Sequence, residues 1–282
     1  MTDPTLQRPH RPDTPQALLG DLQDVWTSLE GLLVSLDDED FAAPTACPGW
    51  TVADVVAHVV GTELMMAGEP VPDVEVPDLP HLRNPIGRAN ESWIQERRPW
   101  PPSRLVEEFR SVIARRTAEL SDLSQADVDA PSWTPAGDDT LGRFLQIRTF
   151  DTWIHELDIR DALGSSGHES GPAALRTLVE VGNALGFLVG KRAGAPEGAW
   201  VRIELPGPEA AAFDVVVDGR AQLVDDRPGG EPSVLLSAGS TEFVRCVAGR
   251  VDPMDSLAEG RTTVLGDEDL GRRLVAALPY TI

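Results

Sequence analysis

The sequence predicts an α+β protein, with a helical bundle over residues 14–192 and a small α+β domain over 199–282. Two observations carry this. Apolar residues recur at helical spacing through long stretches before residue 192, and after Ala193-Gly-Ala-Pro-Glu-Gly198 the period changes to alternation. The length of 282 residues is enough for two bodies, each with its own core.

Residues 1–13 hold three prolines among polar groups and read as a flexible tail. Thr14-Pro15 then places a capping side chain before a first-turn proline, and Leu18, Leu22, Val25, Leu29, Leu32 and Leu36 continue at helical spacing. Cys47-Pro48-Gly49-Trp50 reads as a turn into Thr51, which caps a second helix with Asp54 three residues on. That helix carries His58 and fades near Gly68. A proline-rich loop over 69–85 leads to a helical piece from about Ile86 to Arg97, and a cleaner helix runs from Ser103 to Leu123. Thr140 to Leu163 is the next, closed by Gly164, and Pro172 to Lys191 is the last of the bundle. Strands are expected at Trp200–Leu205, Ala212–Val217 and Ser233–Leu236, with helices returning at Ser240–Ala248 and Asp267–Leu278. No internal repeat is evident.

With 24 basic against 46 acidic residues the net charge is −22, which disfavours nucleic acid and anionic lipid as partners. No uninterrupted apolar run reaches the roughly 18 residues of a membrane span, and Met-Thr-Asp-Pro does not open like a signal peptide. The expected setting is cytoplasmic, as monomer or homodimer. Cys47 and Cys246 form no CxxC pair, so a disulfide scaffold or structural zinc cluster is not expected.

The run Asp151-Thr-Trp-Ile-His155-Glu-Leu-Asp158 carries the chemistry. Asp151 and His155 are four apart on a helix, so their side chains stack one turn above the other. A carboxylate and an imidazole at that spacing are two ligands of a divalent cation, and His58 is the candidate third. Either histidine alone would read as a satisfied core residue; together, with the carboxylate, they read as ligands. Asp158 either accepts a hydrogen bond from a ligand's free N–H or pairs with a nearby arginine. Cys47, with no basic partner at fixed spacing, reads as structural. His10, His81 and His168 fall in loops or the tail and read as solvated. Trp50, Trp93, Trp100, Trp133 and Trp153 read mostly as packing between helices.

Cys47-Pro48-Gly49-Trp50-Thr51-Val52-x-Asp54-x5-Val60, with His58 inside it, resembles the opening signature of the mycothiol-dependent maleylpyruvate isomerase family of DinB-like metal-binding bundles. Asp151-x3-His155-Glu156-x-Asp158-Ile159-Arg160 is similar to that family's carboxylate-x3-His motif. The resemblance implies a DinB-like four-helix bundle with a sterol-carrier-like C-terminal α+β domain. It also implies a metal, usually zinc, with nickel or iron admissible, held by His58, Asp151 and His155, with mycothiol as cosubstrate. The isomerase has Glu where this chain has Asp151, one methylene shorter. The family's C-terminal domain contributes a pocket arginine, for which Arg250 is the nearest match and Arg245 the alternative; with Asp158, Arg250 is expected to serve catalysis.

Two neutral imidazoles and one carboxylate leave a divalent cation about one unit of positive charge and an open position. A small thiol beside it would lose its proton and could attack an electrophilic carbon. The expected function is a thiol-using enzyme that isomerises or S-conjugates a small electrophile bearing a carboxylate. A thiol-independent hydrolase or lyase on the same bundle stays open, as does a non-catalytic metal-binding or regulatory module.

Overall fold

The computed structural model describes every residue except Met1, Pro4, His81 and Ile282, so the reading of His81 as solvated lies outside the described residues. The chain divides into two compact units, Pro12–His168 and Glu169–Ile282 together with Met1–Arg11.

The first unit is helical. Four long helices, α1 (Pro15–Val34), α2 (Val52–Met66), α4 (Pro102–Ser121) and α6 (Leu141–Ala162), close a ring in which each packs on two of the others: α1 on α4 and α6, α2 on α4 and α6. Helix α3 (Pro85–Arg97) lies on α2, where the absent side chain of Gly61 makes room for the Trp93 ring. The core of this unit is the valine-rich stripe of α2, from Val52 to Val60, against Leu29, Ile94, Phe109 and Ile159. The helix starts follow the sequence: Thr14 caps α1, Thr140 caps α6, and Thr51 and Asp54 form a reciprocal capping box on α2. A short helix α5 (Gln125–Val128) precedes a hairpin of β1 (Pro131–Thr134) and β2 (Gly137–Thr140), which leads straight into α6.

The second unit is built on a five-stranded sheet in the order β5-β4-β3-β6-β7: β3 (Trp200–Leu205), β4 (Ala211–Asp218), β5 (Arg220–Val224), β6 (Val234–Ala238) and β7 (Thr262–Gly266). All neighbours are antiparallel except β3 and β6. Helices α7 (Pro172–Phe187), α8 (Ser240–Val247), α9 (Pro253–Ala258) and α10 (Glu268–Ala277) complete it. The α+β class stands.

Two boundaries differ from the sequence reading. The division falls at His168, not near 192, because α7 packs on β4 and β5. Its Gly186 allows this approach: a Cβ there would lie 2.9 Å from the Ala221 carbonyl oxygen. Nor do Asp3, Leu6 and Gln7, within the expected tail, hang loose. Arg202 sits buried in the sheet between Glu204 and Asp214, and its Nη2 donates to the carbonyls of Asp3 (3.0 Å) and Leu6 (3.3 Å). The Ala212 amide donates to the Gln7 carbonyl at 2.8 Å, so Asp3, Leu6 and Gln7 are each bonded to the sheet. Burying Arg202 without those acceptors would leave part of a guanidinium unsatisfied. By length and composition one helix, Pro172–Arg192, could cross a membrane, but 61% of its most apolar window is buried within the protein.

Candidate metal centre

His58 projects from the middle of α2 and Asp151 and His155 from successive turns of α6, and α2 packs on α6. The structure brings all three together: one donor atom from each lies within 4.8 Å of the others. His58 Nε2 is 3.2 Å from Asp151 Oδ2, and His155 Nε2 is 3.8 Å from Asp151 Oδ1. The two imidazole rings meet edge to face, 4.6 Å between centroids. Both histidines are buried, and the Asp151 side chain is 30% exposed, which leaves the carboxylate as the open side of the cluster.

Asp158 Oδ2 accepts from His155 Nδ1 at 2.9 Å. That contact leaves His155 Nε2 as the nitrogen facing the carboxylate. Of the contacts the sequence left open for Asp158, the one from a histidine N–H is present. The same oxygen accepts from the Cys47 thiol at 3.1 Å, and Cys47 Sγ lies 3.8 Å from His155 Nδ1. Cys47, read as structural, is buried and packs directly beside the His–Asp–His cluster. The Cys47–Trp50 turn, closed by the Trp50 amide on the Cys47 carbonyl (3.0 Å), holds the thiol against the foot of His155. It also lays the Trp50 ring over both imidazoles, at 5.2 Å from His58 and 5.9 Å from His155.

Asp151 has a further partner that the sequence reading missed. Arg148, one turn earlier on α6, donates from Nη1 to Asp151 Oδ2 at 2.5 Å and from Nε to Glu63 Oε1 at 3.1 Å. The other Glu63 oxygen accepts from Arg116 Nε on α4 at 3.1 Å. The result is a buried chain of alternating charge, Arg116–Glu63–Arg148–Asp151. The spacing of Arg148 and Asp151 was its only sequence signal, since Glu63 and Arg116 come from other helices.

These neighbours set the charge states. Burial would raise Asp151, but Arg148 beside it, then His58 and His155, hold it well below the usual carboxylate range. Burial pushes His58 down, only partly opposed by Asp151, so His58 is neutral at pH 7. Burial also opposes charge on His155, but its bonds to Asp158 and Cys47, with Asp151 behind them, outweigh it and raise its pKa to about 10. The donor set, two imidazoles and an ionised carboxylate, fits a borderline divalent cation such as zinc. His58 Nδ1 is buried without a hydrogen-bond partner, while Nε2 of the same ring is held by Asp151 at 3.2 Å.

The remaining expectations divide. His10 is exposed, as read. His168 is not solvated: the loop from Gly164 curls back so that its ring meets Glu156 (2.6 Å) and Asp24 (3.1 Å). Trp93 and Trp153 are buried among helices, and Trp100 lies against Arg104. Trp133 is 52% exposed on the hairpin. Arg245 and Arg250 lie in the second unit. Arg245, in the last turn of α8, reaches Glu169 at 3.4 Å, and Arg250 donates to the Ala248 carbonyl at 2.7 Å.

A four-helix bundle with a buried His–Asp–His cluster between two of its helices, joined to an α+β unit, is the class of protein this chain represents. The family described as mycothiol maleylpyruvate isomerase N-terminal domain matches residues 7–160, and the chain belongs to that family. Two uncharacterized proteins from strains of Mycobacterium tuberculosis are 27% identical over 154 residues, 53% of this chain and 58% of theirs. The match thus spans little more than half the length of those relatives. The crystal structure of the mycothiol-dependent maleylpyruvate isomerase is similar at 19% identity with a TM-score of 0.54, over 84% of this chain and 90% of that one. A point mutant of that isomerase aligns at 18% identity with a TM-score of 0.53. At that identity the likeness speaks for the fold.

Proposed function

We propose that this chain is a metal-dependent enzyme that uses a low-molecular-weight thiol, mycothiol by its family, to isomerise or S-conjugate a small electrophile. The observation that carries the reading is the convergence of His58, Asp151 and His155 within 4.8 Å beside the Asp158 acceptor. His58, Asp151 and His155 would hold the cation, with zinc the best match to the donor set and nickel or iron the alternatives. When bound, it supplies Lewis acidity that lets a neighbouring thiol lose its proton near neutral pH.

The protein's own groups prepare that chemistry. Asp158 fixes which nitrogen His155 presents, and neutral His58 offers a lone pair without first shedding a proton. Arg148 keeps Asp151 ionised and pinned. Trp50 covers both rings and excludes water from that side, which strengthens every electrostatic contact beneath it. A thiolate that adds to an unsaturated carbon and leaves after rotation yields the cis–trans isomer and regenerates the thiol. One that remains bonded yields the S-conjugate. A cytoplasmic thiol pool suits this reading, and the acidic surface suits small-molecule partners better than nucleic acid or membrane.

The test is a thiol-dependence assay on metal-analysed protein with a panel of unsaturated and epoxide electrophiles. Turnover should require both thiol and metal. Turnover with metal but without thiol would move the reading to a hydrolase or lyase, and a metal-loaded protein inert throughout would move it to a binding module.

A further inference from the structure

Cys47 and His155 approach one oxygen of Asp158 together. Cys47 Sγ donates to Oδ2 at 3.1 Å and His155 Nδ1 donates to it at 2.9 Å, with 3.8 Å between Sγ and Nδ1. His155 and Asp158 are three apart on α6, so they share a face of that helix, and the Cys47–Trp50 turn brings the thiol to them. The three separations form an acute triangle whose centre lies about 1.9 Å from each atom. A cation raised slightly from that plane would stand about 2.1 Å from all three, within about 0.2 Å of zinc's bond lengths to nitrogen, oxygen and sulfur. Cys47, His155 and Asp158 are 6%, 5% and 1% exposed, so the cluster is closed where the His58–Asp151–His155 cluster is open at its carboxylate.

The charges suit a cation as well as the distances do. Two protons, on Sγ and Nδ1, point at the same carboxylate oxygen. One divalent cation in their place carries the same charge, so the protein interior gains none. Thiolate and carboxylate together cancel that cation, whereas the single carboxylate of the outer cluster would leave it one unit positive. A sulfur among the donors favours a thiophilic ion, zinc or cadmium, over magnesium or calcium. Ala46, Pro48 and Gly49, on either side of Cys47, are exposed, so the turn that carries the thiol faces solvent and gives an ion its way in.

We propose that Cys47 Sγ, His155 Nδ1 and Asp158 Oδ2 form a second cation site for a thiophilic divalent ion, back to back with the His58–Asp151–His155 cluster across the His155 ring. Binding breaks the S–H and Nδ1–H bonds, releases both protons to solvent and forms bonds from the ion to sulfur, nitrogen and oxygen, with no change of oxidation state. His155 then keeps its proton on Nε2 and withdraws that nitrogen from the outer cluster, which is left with His58 and Asp151. Occupancy of the two sites is therefore exclusive, and an ion held by Cys47 turns the outer site off. This goes beyond the enzymatic reading and adds an inhibitory ion to it.

The test is titration of the full-length protein, stripped of metal, with cadmium(II), read by thiolate-to-metal charge-transfer absorption in the ultraviolet and by calorimetric stoichiometry. One tight equivalent per chain should bind and bring up that absorption, both in the parent and in His58→Ala, which removes a ligand of the outer cluster alone. Cys47→Ser should lose the absorption and Cys246→Ser should keep it. Asp158→Asn and His155→Ala should each weaken cadmium about tenfold or more, since each removes a ligand. Cadmium binding without the absorption in the parent, absorption that survives Cys47→Ser, or unchanged affinity in both Asp158→Asn and His155→Ala overturns the proposal. The parent titration depends on no variant's folding. Two tight equivalents per chain would overturn the exclusive occupancy and the inhibition with it. The absorption with no thiol-dependent turnover in any metal form would uphold this site and sink the enzymatic reading; turnover with no absorption would do the reverse.

Discussion

Asp158 accepts a hydrogen bond from His155 Nδ1 at 2.9 Å, and in the proposed metal site this contact would decide how the histidine meets a cation. With no cation bound, the pair raises His155 to about 10, so at neutral pH the ring carries a proton on each nitrogen. Metal uptake must then displace the Nε2 proton while Nδ1–H stays on Asp158. Affinity should rise about tenfold per pH unit between 6 and 9, because one proton leaves with each ion bound. Titration in buffers of different ionisation enthalpy should show that release. Asp158→Asn should flatten the pH dependence and lower affinity by about ten- to a hundredfold. His58→Ala should abolish tight binding, since two ligands on one helix cannot close a site. In the metal-free chain the raised pKa also carries a stability effect of definite sign. It stabilises the fold fully below pH about 6.5, where the unfolded imidazole is also protonated, and is lost as pH rises through about 10. A pH-independent metal affinity would refute this account of the pair.

Glu63 is the hinge of the buried charge chain, 1% exposed between Arg116 and Arg148. Removing its charge leaves two interior guanidiniums facing each other. Glu63→Ala should cost about 3–5 kcal/mol in chemical denaturation, the range for breaking a buried ion pair from one side. It should also weaken metal binding, because Arg148 would be free to pull Asp151 out of place. A loss below about 1 kcal/mol would mean that water enters and screens the chain, as at exposed pairs.

Much of the bundle was legible because its signals are local. Thr14, Thr51 and Thr140 each announced a helix start, and the stacking of Asp151 on His155 needed only the helical period. What was not legible depends on contacts distant in sequence. Cys47 meets His155 and Asp158 across more than a hundred residues, and nothing in Cys-Pro-Gly-Trp indicates that. The hairpin over 131–140 escaped notice because Gly137-Asp-Asp-Thr140 has no alternating apolar side chains. Helical period identified α7 as a helix but not the body it belongs to. Its glycines at 182 and 186, with Gly190 just beyond its end, are spaced for close approach to Phe213 and Ala221 in the sheet and held that information.

The position of α7 revises where the chain can be cut. A fragment spanning 12–168 should fold and take up metal, because all three candidate ligands, Asp158 and Cys47 lie inside it. A fragment ending at 192 should behave worse, although it is longer. It would carry α7 without the strands that cover Leu178, Val181 and Leu185, an apolar stripe in water. Sedimentation of the two fragments decides this: a monomeric shorter form and a self-associating longer one are expected. The opposite ranking would return the boundary to residue 192.

Arg250 can be tested against its plainest role, that of a helix cap. Gly249, at φ +70°, ends α8 in the left-handed region, and Arg250 Nη1 donates to the Ala248 carbonyl at 2.7 Å. A residue that only caps would, on Arg250→Ala, lower the melting temperature slightly and leave turnover intact. A residue that also grips an oxygen of a reactant would show the converse, kcat/KM falling about ten- to a thousandfold with metal content unchanged. Arg250→Lys separates charge from shape, because a lysine keeps the charge and loses the planar fork that binds two oxygens at once. If Arg250→Ala is fully active and Arg245→Ala is not, the role passes to Arg245, which the structure shows against Glu169. Two active variants would leave the chemistry to the bundle alone.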